Sequence, residues 1–197
     1  MPAPLPPSPL DTLASAARAA QAKGPPPVER WNPPYCGDID MRIARDGTWH
    51  YLGTPIGRPA LVKLFASVLR KDPEGFRLVT PVEKVGLVVE DAPFLAVEMR
   101  VERGEDSGPV LNFRSNVDDW VAAGPEHALR FEPGAAAGIK PYIHIRGGLW
   151  ALLTRALFYD LAELGETRMV GAQEMFGIVS QGAFFAMAPA STMAGLA

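Results

Sequence analysis

Cysteine is almost missing: Cys36 is the only one in 197 residues. A lone thiol excludes an intramolecular disulfide framework and any zinc site that needs two or more cysteines. A basic surplus is missing as well. Nineteen Lys and Arg against 22 Asp and Glu leave a net charge of −3. That balance argues against a protein that coats nucleic acid or anionic lipid, so extensive nucleic-acid binding is not expected. His50, His127 and His144 are isolated, with no His-x-x-x-His or Cys-x-x-Cys spacing, and neither a metal nor a cofactor is expected. Met1 to Pro9 has no basic stretch and no apolar core, and reads as a poor secretory signal. The 23 positions after Glu174 carry no charge, yet Ser180, Gln181, Gly182, Pro189, Ser191 and Thr192 interrupt them. A membrane helix would need about 20 predominantly apolar residues, so no membrane partner and a cytoplasmic location are expected.

Proline, by contrast, is plentiful: there are 20, and ten fall in the first 34 residues. Residues 1–37 read as a proline-rich arm with a short helix. Ser8-Pro9-Leu10-Asp11 supplies a cap, a first-turn proline and an acid, and Gly24 ends the alanine-rich run. The stripe Leu10, Leu13, Ala17, Ala20 is thin and predicts weak docking. Pro25 to Pro34 breaks the helix, and Trp31 and Tyr35 favour a strap over a free tether, since loose rings would leave apolar area in water.

From Asp38 onward the period alternates between two and 3.6. Asp38 to Ala44 and Thr48 to Leu52 predict a hairpin across Asp46-Gly47. Leu61, Leu64, Phe65, Val68 and Leu69 predict a helix over Pro59–Leu69, ended by Asp72-Pro73. Strands are expected at Phe76–Thr80, Val85–Val89, Leu95–Glu102, Pro109–Ser115, His127–Phe131 and Tyr142–Arg146, with a helical turn over Asp118–Ala123. Leu153, Leu157, Leu161 and Leu164 predict a second helix over Leu149–Leu164. Two strands around Gln181-Gly182 follow.

The two halves echo one another. Glu83-Lys-Val-Gly-Leu-Val-Val-Glu-Asp-Ala-Pro-Phe94 matches Glu174-Met-Phe-Gly-Ile-Val-Ser-Gln-Gly-Ala-Phe-Phe185 without a gap, and Arg45-Asp-Gly-Thr-Trp49 echoes Arg146-Gly-Gly-Leu-Trp150. The fold class expected is α+β: two small related α+β units from an internal duplication, with a ligand groove between them. The divisions expected are 1–37 (arm), 38–97 (first unit), 98–190 (second unit) and 191–197 (loose tail).

The run from Trp31-Asn-Pro-Pro-Tyr-Cys-Gly-Asp-Ile-Asp to Gly53-Thr-Pro-Ile-Gly-Arg58, with Leu78-Val-Thr-Pro-Val-Glu-Lys84 and Val89-Glu-Asp-Ala-Pro-Phe94, closely resembles a bacterial domain-of-unknown-function family, DUF 1285. The resemblance covers roughly residues 25 to 188. It implies a duplicated two-domain core whose C-terminal domain is superficially like pleckstrin-homology folds, with ligand binding at the domain interface and a signalling role. It implies no reaction, so no catalytic residue carries over.

Several residues invite chemistry. Gly53-Thr-Pro-Ile-Gly-Arg58 precedes a helix, so main-chain amides and Arg58 could meet a phosphate or carboxylate, or the glycines could merely turn the chain. Thr80, Glu83 and Lys84 cluster around a proline, and Arg146 holds the place in the second half that Arg45 holds in the first. Trp31, Trp49 and Tyr142 supply rings. Such a set suits a small-molecule, peptide or nucleotide-like ligand. The leading expectation is a non-catalytic ligand-binding or adaptor protein. One alternative is a small hydrolase-like enzyme using Asp38/Asp40 or Cys36/His50, which needs paired groups in hydrogen-bond reach. The other is a nucleic-acid-associated protein with a local basic patch. The oligomeric state is left open.

Overall fold

The computed structural model describes residues 9–22, 24–104, 108–135 and 138–193. The cap at Ser8 and the tail from 194 onward lie outside them. The chain divides into two units at Asp91/Ala92. That point precedes the break expected after Val97, because Phe94–Gly104 is one continuous strand.

Unit 1 opens with helix α1, Pro9–Gln21. Its stripe is thin, and the middle of it is buried while Leu10 and Ala20 at its ends are half-buried. Leu13, Ala14 and Ala17 are buried against α2, Pro59–Ser67, which turns Leu61, Leu64 and Phe65 inward. Two alanines at the contact let the helix backbones approach, so the centre of a stripe expected to dock weakly is buried. Gly24, at φ +107, turns the chain after α1, and its N–H caps Gln21 O at 3.1 Å.

The unit 1 sheet has the order β3-β2-β1-β6-β5-β4. Its strands are β1 (Tyr35–Ile43), β2 (Trp49–Tyr51), β3 (Thr54–Pro55), β4 (Leu69–Asp72), β5 (Gly75–Val79) and β6 (Lys84–Val89). Only β1 and β6 run parallel. Met41, Ile43, Trp49, Phe65 and Leu78 form the core. The helix expected over Pro59–Leu69 stops at Ser67: Leu69 pairs with Leu78 and Asp72 with Gly75, a hairpin that replaces the last helical turn.

In unit 2 the strands are β7 (Phe94–Gly104), β8 (Gly108–Ser115), β9 (Trp120–Ala122), β10 (Leu129–Pro133), β11 (Ile139–Arg146) and β12 (Leu149–Leu153). They form a sheet of order β10-β11-β12-β7-β8-β9. Helix α3, Arg155–Glu163, leads to a separate three-stranded sheet of β13 (Glu166–Val170), β14 (Gln173–Ser180) and β15 (Ala183–Pro189). Two expectations fail here. Asp118–Ala123 is not helical; a Ser115-capped turn leads into β9, with Ser115 Oγ accepting from the Val117 and Asp119 amides. Leu149–Leu153 is a strand, paired to both β11 and β7, because Leu149, Ala151 and Leu153 bury alternately.

The order hairpin, helix, three-strand meander recurs in both units: β1–β2, α2, β4–β6, and β11–β12, α3, β13–β15. The Arg45 and Arg146 echoes both fall at the hairpin turn. The gapless match of Glu83–Phe94 to Glu174–Phe185, however, sets β6 against β14, one strand out of step with the element order. What the two strands share is a central glycine with no room for a side chain. A Cβ on Gly86 would lie 1.8 Å from Asp38 Oδ1, and one on Gly177 would lie 2.4 Å from the Phe185 carbonyl.

Unit 1 also holds a buried ion cluster. Arg70 donates through Nε to Asp72 Oδ1 at 2.6 Å and through a terminal nitrogen to Asp72 Oδ2 at 3.0 Å. Its other terminal nitrogen reaches the carbonyls of Val28 and Trp31 at 2.7 and 2.8 Å. Lys84 Nζ completes the cluster on Asp72 at 3.2 Å. Hydrogen bonds from Arg70, followed by those from Lys84, hold the Asp72 carboxyl below the usual carboxylate range despite burial.

Two outcomes follow from these contacts. Gly177→Ala presses a methyl onto a main-chain carbonyl and lowers stability by about 1–3 kcal/mol in urea unfolding; Gly86→Ala costs less, because Asp38 is an exposed side chain that can swing aside. Asp72→Asn leaves Arg70 buried without a counter-charge and costs about 3–5 kcal/mol at pH 7. The Asp72 carboxyl titrates lower in the folded than in the unfolded chain. Its contribution is therefore complete above about pH 4 and is lost as pH falls through the folded value. The urea midpoint of the wild type should drop more steeply on acidification than that of Asp72→Asn.

Candidate functional site

The structure scatters the residues chosen from sequence among different tasks. Trp49 is buried, stacked on Phe65 with ring centroids 6.4 Å apart, and Tyr142 is buried beneath the Arg130 guanidinium. Both rings serve the cores of their units. Thr80 makes a turn: its N–H donates to Glu83 O, and its Oγ1 accepts from the Glu83 amide at 3.2 Å. Lys84 is held by Asp72, and the half-buried Trp31 offers its carbonyl to Arg70. Arg146 donates to Asp119 at 2.7 Å and lies over the Phe94 ring. Arg58 is exposed at the start of α2, where it borders a cavity of about 250 Å³ with Arg18, Gln21 and Leu64. Glu83 borders another, of about 290 Å³, with Leu10, Ile39, Tyr51 and Val85.

Cys36 and His50, one of the pairs considered for catalysis, are not brought together, whereas Asp38 and Asp40 lie two residues apart on β1. Cys36 stands at the start of β1, whereas His50 lies beside Arg42 near its far end. Six residues of strand separate the two levels, about 20 Å. Cys36 is exposed, its thiol directed to Pro34 O at 3.6 Å. Asp38 accepts from the Tyr35 hydroxyl at 2.6 Å and faces Arg77 at 3.7 Å. That hydrogen bond raises the pKa of Tyr35, because deprotonation would surrender it beside a carboxylate. Among the described residues no group of three or more His, Cys, Asp or Glu side chains could hold a metal ion, and no helix is long and apolar enough to cross a membrane.

The largest of these cavities lies in unit 2, and none of the residues chosen from sequence lines it. It measures about 570 Å³ and is lined by Ile139, Lys140, Leu152, Arg155, Phe158 and Tyr159. Strands β11 and β12 supply its apolar floor, and α3 supplies one wall. The first residue of α3 is Arg155, whose guanidinium donates to the Tyr159 hydroxyl at 3.2 and 3.0 Å. Thr154, the capping residue, makes no side-chain bond to the first turn, and Arg155 and Lys140 both border the recess. The recess thus joins apolar walls to a cationic rim. The missed signal was Thr154-Arg155. A helix over Leu149–Leu164 would set Arg155 in its interior, whereas Arg155 marks a strand-to-helix junction.

Residues 26–92 match the model of the DUF1285 N-terminal domain, a domain of unknown function, and residues 93–187 match the C-terminal domain of the DUF1285 proteins of unknown function. The crystal structure of a DUF1285 family protein from Silicibacter pomeroyi DSS-3 is similar with a TM-score of 0.83 and 48% identity, covering 92% of this chain and 97% of that one. A DUF1285 family protein from Shewanella baltica OS155 is similar with a TM-score of 0.50 and 31% identity, covering 64% of this chain and 91% of that one. No curated protein matches the chain. With both of its units matched in order and a relative this similar along nearly its full length, the chain belongs to the DUF1285 family.

Proposed function

We propose that this protein is a non-catalytic ligand-binding or adaptor protein of a cytoplasmic signalling system, and that the unit 2 cavity takes an anionic amphiphile. The pleckstrin-homology likeness that the family resemblance implies for the C-terminal domain belongs to the same reading. The observation that carries the proposal is the pairing of Lys140 and Arg155 with the apolar surface of Ile139, Leu152 and Phe158 in one recess. Small-ligand sites commonly combine apolar walls with a few polar anchors in a volume of about 300–1,000 Å³. A carboxylate or phosphate head would meet Arg155, Lys140 and the first turn of α3, while an alkyl or aryl tail would cover Leu152 and Phe158.

The nucleic-acid reading is not favoured. Arg77, Arg100, Arg114, Arg130 and Arg168 each face a carboxylate of their own unit. Cations already neutralised in this way release few phosphate counterions.

Decanoate, dodecyl phosphate and uncharged decanol serve as probes in thermal-shift and calorimetric titrations. The two anions should stabilise the protein and decanol should not. Saturation at a hundredfold excess over Kd corresponds to about 2.7 kcal/mol. Arg155→Ala and Lys140→Ala should each weaken decanoate binding about tenfold, and Leu152→Trp, which fills the recess, should abolish it. Equal binding of decanol, or decanoate binding indifferent to all three substitutions, would refute the proposal.

A further inference from the structure

Strand β13 ends its sheet. Antiparallel β14 covers one of its edges and, among the described residues, no strand covers the other. All five of its residues are exposed, and Met169 and Val170 leave 65% and 48% of their surface in water. Long apolar side chains on an open edge are what single-chain proteins avoid, usually by charge, proline or a cover. Here the only charges are Glu166 and Arg168, and these pair with each other on the same face.

The direction of the free groups follows from the turn. Gly171-Ala172 joins β13 to β14 in two residues, with Gly171 at φ +62. Val170 and Gln173 therefore flank the turn as a hydrogen-bonded pair, and the ladder alternates from there. Arg168 bonds to Met175 and Glu166 to Gly177, so Thr167 and Met169 direct their N–H and C=O groups to the open edge.

We propose that β13 pairs with β13 of a second copy of this chain, antiparallel about a two-fold axis at Thr167. In this register Thr167 exchanges hydrogen bonds with Thr167 of the second copy. Met169 N–H meets the carbonyl of Gly165, whose own N–H is already bound to Ala162 O. About four main-chain bonds form across the axis. The segment Glu166-Thr167-Arg168 is self-complementary there: each Glu166 lies opposite the other copy's Arg168 on one face, and the two threonines meet on the other. Opposite charges and Thr–Thr pairs are favourable cross-strand neighbours. Moving the axis to Arg168 would set two guanidinium groups against each other, so charge selects the Thr167 register. A copy of this chain fits the edge because its own sequence supplies the complement.

Sedimentation equilibrium of the full chain tests this. The wild type should dimerise with a Kd of about 1–100 µM, in keeping with a small interface. Arg168→Glu and Glu166→Arg should each weaken the dimer about tenfold or more by setting like charges opposite each other, and the double exchange should restore it. Thr167→Pro removes a main-chain donor that β14 does not use, and should abolish association while α3 and the β14–β15 hairpin remain folded by circular dichroism. A wild type that stays monomeric up to about 500 µM would overturn the proposal. So would a dimer unaffected by the single substitutions, or one that the double exchange fails to restore.

Discussion

The bidentate pair of Arg70 and Asp72 is the constraint on which unit 1 depends. Its origin is an imbalance in the chain before it. Pro25, Pro26, Pro27, Pro33 and Pro34 carry carbonyls but no N–H, so the segment has more acceptors than donors of its own. Arg70 redresses this with bonds to Val28 O and Trp31 O, and the Lys84 amide adds one to Pro34 O. The guanidinium can be buried for that purpose only because Asp72 neutralises it and Lys84 balances Asp72 in turn. One residue on β4 thereby anchors a stretch whose regular structure is a single 3-10 turn, Val28–Arg30.

Unit 2 solves a similar problem with a hydroxyl. Ser180, at the end of β14, is fully buried; its Oγ donates to Ala123 O at 2.7 Å and accepts from the Leu111 amide at 3.0 Å. The three-stranded sheet is thus tied to β8 and the end of β9 by one side chain that fills both roles. Gln181 adds a main-chain bond to Pro109 O. These contacts explain why a small meander with little core of its own keeps its place within the unit.

Much of the fold was legible in the residues. Asp46-Gly47, Gln181-Gly182 and the prolines mark the turns, and the helical stripe of α2 holds up to Ser67. The errors share a physical cause. Val68 and Leu69 prolong the period of α2, and Leu149–Leu153 is apolar at every position, so its alternating burial leaves no trace in the residue types. The site was less legible for a related reason. Trp49 and Tyr142 invited a ligand reading because they are large, but large rings are the usual filling of a core. Arg155 stands where an all-apolar strand meets α3, and the recess beside it is made by β11, β12 and α3, whose meeting depends on tertiary structure. Recognition of the family did not help there, since it carried no residue roles.

Parallel pairing of β1 with β6 has a further consequence for how this chain acquires its shape. Tyr35 lies beside Lys84 and Ile43 beside Val89, so the centre of the unit 1 sheet is built from the first and last strands of that unit. The hairpins β1–β2 and β4–β5 can form early, but neither closes the sheet. On the ribosome the central strand must wait, with its edge exposed, until β6 has been synthesised. Unit 2 repeats the arrangement, with β7 waiting for β12. Such separations give both units a high contact order and place them among slowly folding topologies. The interval between synthesis and closure is when this protein most needs protection from its own strand edges.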